Sequence, residues 1–172
     1  MVKFEIILLK NVNGLKFGAS SQEVHTEFGS EYEHASEKLT TEDKDFLLEV
    51  SKRMSEMSGR PLEDFTKYDK EEFDSDTSDY YSFCRIDYDE EGFEAIEIYS
   101  DKETKLIVNG KDYSNFDLQT LLTLADDFQE KENKTSYISN SKQIGIWCPD
   151  GDGRVESILF GCPGYYDSLN DL

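Results

Sequence analysis

The sequence predicts an α+β fold, an antiparallel sheet with about three helices packed on it, and three patterns predict it. Short β-like runs punctuated by tight turns fill the stretch from Tyr80 to Gly110. A last strand–turn–strand block lies at 143–160. Stretches with apolar residues three and four apart precede and separate these blocks, which is helical spacing. With 172 residues, one domain spanning 1–172 is the expectation.

Phe4 to Leu9 reads as a first strand, and Asn11 to Gly14 turns the chain. Ser20 followed by Glu23 is a capping box. It opens a short helix that Gly29 stops, with Val24 and Phe28 facing inward. A second helix is expected from Glu42 to Met57. Phe46, Val50, Met54 and Met57 share one face, acids at Glu42, Asp43 and Asp45 suit its positive end, and Gly59 and Pro61 end it. The stretch 61–79 is expected to be an acidic loop or a short helix. Tyr81–Tyr88, Phe93–Tyr99 and Thr104–Val108 then read as a three-strand meander, with turns at Asp89–Gly92 and Ser100–Glu103. Asn109-Gly110 is a turn signal. Ser114 opens a third helix to about Glu130 with Leu118, Leu121, Leu122, Ala125 and Phe128 as its stripe. Gln143–Cys148 and Val155–Phe160 form a C-terminal hairpin.

The charge balance is lopsided: 38 acidic against 18 basic residues give a formal charge of −20. Phosphate backbones and anionic membranes would be repelled, so neither nucleic acid nor a membrane is an expected partner. A basic protein surface is the complement. The 11 Phe and 10 Tyr set the chain apart from a disordered acidic tail. Cys84, Cys148 and Cys162 are odd in number and widely spaced. They read as reduced thiols of a cytoplasmic protein, not as a disulfide frame.

No phosphate loop, dinucleotide fingerprint, nucleophile elbow or zinc-protease helix occurs in the sequence. His25 reads as a helix-surface residue and His34 as a solvent-exposed turn residue. The cysteine spacing is wrong for structural zinc. Asp150-Gly-Asp-Gly153 has the first ligands of a calcium loop but strand-like flanks, so a hairpin turn is the better reading and no metal or other cofactor is expected. Asp87, Glu94 and Glu97 on neighbouring strands could supply paired carboxylates for a hydrolase, but they stand among 38 acids. What remains is acidic and aromatic. The expected partner-binding set is Asp69, Glu71, Glu72, Asp74, Asp76, Asp79, Asp87, Asp89, Glu90, Glu91, Asp150 and Asp152.

The run from Gly14 to Gly29 resembles the opening G-x-x-F-G-x-S-x-x-E-V-x-x-x-(L/F)-G of small bacterial immunity proteins from polymorphic toxin and contact-dependent inhibition systems. Phe93–Tyr99, Asn109–Tyr113, Ile144–Trp147 and Tyr165-Tyr166-Asp167 follow in a similar order. A close G-M-T-x-x-E-V pattern opens lipoprotein and β-lactamase-inhibitor-like folds, where this chain has Ala19 in place of Met. The resemblance implies a non-enzymatic, cytoplasmic protein that binds a cognate toxin one to one, a nuclease with a basic cleft, and masks its active site. Another protein-binding adaptor, or an anti-repressor, shares the same charge signature.

Overall fold

The computed structural model describes residues 1–36, 41–62 and 77–167. Most of the acidic stretch lies outside the described residues, and with it the expected contacts Asp69, Glu71, Glu72, Asp74 and Asp76.

The α+β class holds, with two sheets where one was expected. The smaller is built from β1 (Val2–Ile7), β2 (Asn11–Val12), β3 (Leu15–Lys16), β8 (Thr104–Val108) and β9 (Lys111–Asp112), in the order β3-β2-β1-β8-β9. Of its three hairpins, β1–β2 turns through Leu8–Lys10, so Asn11 and Val12, expected in a turn, are strand, and the other two turn on an Asn-Gly pair with positive φ at both residues: 51° and 82° at Asn13-Gly14, 47° and 82° at Asn109-Gly110. That is the left-handed geometry a two-residue hairpin demands, which Asn and Gly tolerate best. Thr104–Val108 is thus not the third strand of a meander. It runs parallel to β1, from Val2 opposite Thr104 to Ile6 opposite Val108. The turn before it redirects the chain: Ser100 donates its N–H to the Glu156 carbonyl, and Thr104 bonds back to Asp101.

The larger sheet holds β4 (Glu33–Ser36), β5 (Thr77–Tyr80), β6 (Cys84–Asp89), β7 (Gly92–Tyr99), β10 (Gln129–Lys131), β11 (Ser136–Ser139), β12 (Ile144–Trp147) and β13 (Ser157–Gly161). Its order is β10-β11-β12-β13-β7-β6-β5-β4, antiparallel at every pairing. The expected C-terminal hairpin is present as β12–β13. Residues 81–83, expected to be strand, make the turn into β6, closed by the Tyr81 N–H to Cys84 carbonyl bond of 2.8 Å. At the next turn Gly92 has φ 120°, and a Cβ there would sit 2.6 Å from the Ala19 carbonyl oxygen. The missing side chain lets this turn close on the segment that leads into α1 (Ser21–Phe28).

The capping box of α1 is formed: Ser20 accepts from the Glu23 N–H, and the Glu23 carboxylate accepts from the Ser20 N–H. Val24 is fully buried, and the Phe28 ring stacks on Phe4 at 6.0 Å. Alternate residues of both sheets meet in one core. Phe4, Ile6, Leu106 and Val108 come from the smaller sheet; Cys84, Ile86, Ile96, Ile98, Ile144, Ile146, Ile158 and Phe160 come from the larger.

Two helical expectations change. The helix expected from Ser114 shrinks to one turn, α3 (Leu118–Leu121), followed by a 3-10 turn. Leu118 and Leu121 are buried as the stripe predicted. Asp117 caps α3 through the Thr120 N–H, and Ala125 is fully extended. The Asp127 carboxylate then accepts from Ser139 and from the Ser141 N–H and hydroxyl at 2.5–2.8 Å. Burial pushes its pKa up, but these bonds hold it down to about 2. A short acidic side chain that captures distant donors competes with helix continuation, and 129–131 joins the sheet edge instead. The second helix, α2 (Thr41–Ser58), is present. Its apolar face does not pack on the sheet: Phe46, Val50, Met54 and Met57 are all exposed.

Candidate functional site

The described members of the expected acidic contact set do not form one surface. Asp79 is 1% exposed and lies inside the protein. His25 Nε2 from α1 is 2.7 Å from one carboxylate oxygen and His34 Nδ1 from β4 is 2.6 Å from the other. The Tyr88 hydroxyl donates to it at 2.7 Å. Desolvation raises the Asp79 pKa, but the bonds from His34, Tyr88 and His25 outweigh it, and the carboxyl sits below its ordinary value. A buried charge persists only with such partners. The cluster ties α1, β4, β5 and β6 together. His25 differs from the expected helix-surface residue, and His34 is exposed as expected but stands on strand β4 instead of in a turn. His25 is half-buried and stacked on Tyr32 at a centroid distance of 4.2 Å. His34 is largely exposed, yet bonded. Nothing local announces the His34–Asp79 pair, because it arises from β4–β5 pairing across 45 residues of sequence.

Asp87 is also internal to a network. Arg85 grips it with two bonds of 2.9 and 3.0 Å, and Ser78 and Tyr165 donate to it. The same guanidinium reaches Glu97 at 3.0 Å. Two of the three carboxylates suggested for hydrolysis, Asp87 and Glu97, are thus bound to one cation, and Ser157 also donates to Glu97. Burial pushes all three thiols up, Cys162 to about 11, so none is an activated nucleophile at neutral pH. Among the described residues no cluster of three or more His, Cys, Asp or Glu is arranged to hold a metal.

Asp89 is spent locally, accepting from the Glu91 and Gly92 N–H groups. Glu90 and Glu91 are exposed at this turn, and Asp150 and Asp152 are exposed in the β12–β13 loop. These two acidic sites stand at opposite ends of β7, whose eight residues separate them by roughly 23 Å.

The outer face of the larger sheet is the better candidate. Arg85, Glu97, Leu159, Gly145 and Ile138 are successive cross-strand partners, so they form one row on that face. Tyr99, Ser157, Trp147 and Ser136 form the next. The C-terminal segment covers part of the face. Tyr165 lies on Gly161 and Tyr166 on Gly145, positions where any Cβ would clash with those rings. Gln143 fixes the segment by accepting from the Tyr166 N–H at 2.6 Å. The uncovered part is concave. One hollow of about 610 Å³ is lined by Glu97, Tyr99, Ser100, Trp147, Val155 and Ser157 together with Arg154 and Glu156. A second, of about 340 Å³, adjoins it through Glu97, Trp147 and Ser157 and extends to Arg85 and Ile138. Trp147 stands between them, 42% exposed. At the rim, Arg154 is held by Asp150 at 3.1 Å and lies 3.8 Å from Glu156. Asp101 adjoins through the Ser100–Glu156 bond, and Asp152 is in the same loop. Sequence alone placed Asp150 and Asp152 on the surface. It missed Trp147, Glu156 and Arg154, which the β12–β13 register would have aligned.

Comparison with protein-family models, curated proteins and solved structures finds no match.

Proposed function

We propose that this chain is a toxin-neutralising immunity protein that docks a cationic partner, one to one, on the hollow outer face of its larger sheet. The observation that carries the reading is the hollow around Trp147, lined by Glu97 and Glu156 and by Arg154, which Asp150 pairs, on a chain of formal charge −20. A half-exposed Trp in a concave site is the kind of anchor that dominates binding energies. Unlike surface acids speed and select the approach of a basic surface. The resemblance of Gly14–Gly29 to immunity-protein openings supports the toxin as the partner. A nuclease domain, whose cleft is basic because it handles phosphate, is the expected target. Carboxylates of Asp101, Asp150, Asp152 and Glu156 then stand where phosphates would.

The test is association with the toxin domain encoded beside this chain. Asp101→Asn, Asp150→Asn, Asp152→Asn and Glu156→Gln are combined, because Asn keeps the turn bonds that Asp101 and Asp152 accept from Glu103 and Arg154. The association rate is expected to fall about tenfold in low salt and to change little near 1 M salt, where the screening length is about 3 Å. Stopped-flow mixing reads both. Equal rates for the variant and the parent in low salt, or no complex at all, would overturn the proposal.

A further inference from the structure

Trp147 divides the hollow of the sheet face, and the charges on its two sides are unevenly shared. On one side Arg85 is held between Asp87 and Glu97, at 2.9 and 3.0 Å. On the other, Arg154 is held by Asp150 at 3.1 Å and stands 3.8 Å from Glu156. Each arginine therefore faces two carboxylates, and each side keeps a surplus of one negative charge. The two sides differ in what they leave free. Glu97 is satisfied, since Arg85 takes one oxygen and Ser157 donates to the other. Glu156 is 52% exposed, and at 3.8 Å the Arg154 guanidinium is beyond hydrogen-bond reach of it. Glu156, Trp147 and Tyr99 line the same hollow of about 610 Å³. Strand pairing brings them together: Ser157 lies opposite both Trp147 and Tyr99, and the Glu156 N–H donates to the Trp147 carbonyl at 2.9 Å. The face of an indole attracts cations, guanidinium groups above all. A guanidinium is also planar and presents a fork of donors that fits one carboxylate. An ammonium group has the charge without the fork.

We infer that the hollow beside Trp147 is a subsite for one arginine side chain of the cationic partner, which rests on the sheet-face docking of that partner. The arginine stacks on the indole and forks onto Glu156. The probe is N-acetyl-arginine amide, with the lysine amide and the neutral citrulline amide as counterparts. The reporter is the indole N–H signal of Trp147 in 15N-labelled protein. The arginine amide is expected to shift that signal saturably and to bind at least about threefold more tightly than the lysine amide. Citrulline keeps the shape without the charge and is expected to give no saturable shift. Glu156→Gln leaves the backbone bond to Trp147 in place and is expected to weaken the arginine amide about fivefold. No saturable shift with the arginine amide up to about 100 mM would overturn the inference. So would equal binding of the lysine or citrulline amide, or unchanged binding by the Glu156→Gln variant. The toxin domain separates this subsite from docking itself. A toxin complex that shifts the indole signal, with no shift by the arginine amide, overturns the subsite alone. Arginine amide binding by a protein that forms no toxin complex upholds the subsite and overturns the docking.

Discussion

Asp79→Asn is expected to cost about 3 kcal/mol of folding stability at pH 7, the scale for breaking a buried charged pair. Asn keeps the volume but not the charge. His25, His34 and Tyr88 all donate to the carboxylate or face it, and an amide offers one acceptor oxygen where two were used. Tyr88 is 6% exposed and cannot turn to water. For a chain of this length the melting temperature should fall by about 6–12 °C. The pH dependence follows from the direction of the shift. The Asp79 pKa is lowered in the folded state. Its contribution is therefore complete above the unfolded value of about 3.9 and is lost as pH falls through the folded value. Urea unfolding of the parent and the variant should differ fully at pH 7 and converge as the pH drops below about 4. A variant within about 0.5 kcal/mol of the parent at pH 7, the ordinary range for surface changes, would show that the cluster does not tie α1 and β4 to the sheet.

Trp147→Ala is expected to weaken the complex with the cationic partner by about 2–3 kcal/mol, roughly 30- to 150-fold in Kd. Most of the loss should appear in dissociation, since short-range packing governs residence while charge governs encounter. This separates the residue from the rim acids, whose replacement acts on association. Fold stability should change little, because the ring is 42% exposed and the strand bond from the Glu156 N–H to the Trp147 carbonyl remains. Surface plasmon resonance with parent and variant reads both rates. An unchanged dissociation rate would place the anchor elsewhere.

What could be read from the sequence was what short-range chemistry fixes. Ser20 and Glu23 cap one another within a single turn. Asn-Gly pairs demand left-handed backbone wherever they stand. Asp89 and Gly92 close a turn across three residues. The errors came where distant pairing decides. Thr104–Val108 follows a short turn and looks like the next meander strand, yet it finds its partner at Val2–Ile6, about a hundred residues away. The apolar spacing of 114–130 is helical, but Asp127 bonds Ser139 and Ser141 and the chain enters the sheet edge. The stripe of α2 marks a helix, and a helical pattern does not say whether the core will cover it. The acids divided for the same reason. Asp79 and Asp87 sit on strands, where Asp79 meets His34 through cross-strand register and Asp87 meets Arg85 two residues before it on the same face of β6, whereas Glu90, Glu91, Asp150 and Asp152 sit in turns and stay exposed. Local composition does not distinguish an acid that a strand will bury from one that a turn leaves exposed.

The docking claim is tested most directly at the one tryptophan of the chain. With the protein labelled by 15N and the toxin domain unlabelled, the spectrum contains one indole N–H signal, that of Trp147. The expected result is a shift that saturates at one equivalent of toxin, with the signal protected from a soluble paramagnetic probe that broadens it in the free protein. A one-to-one complex in which that signal neither moves nor gains protection would contradict the assignment of the sheet face as the binding site.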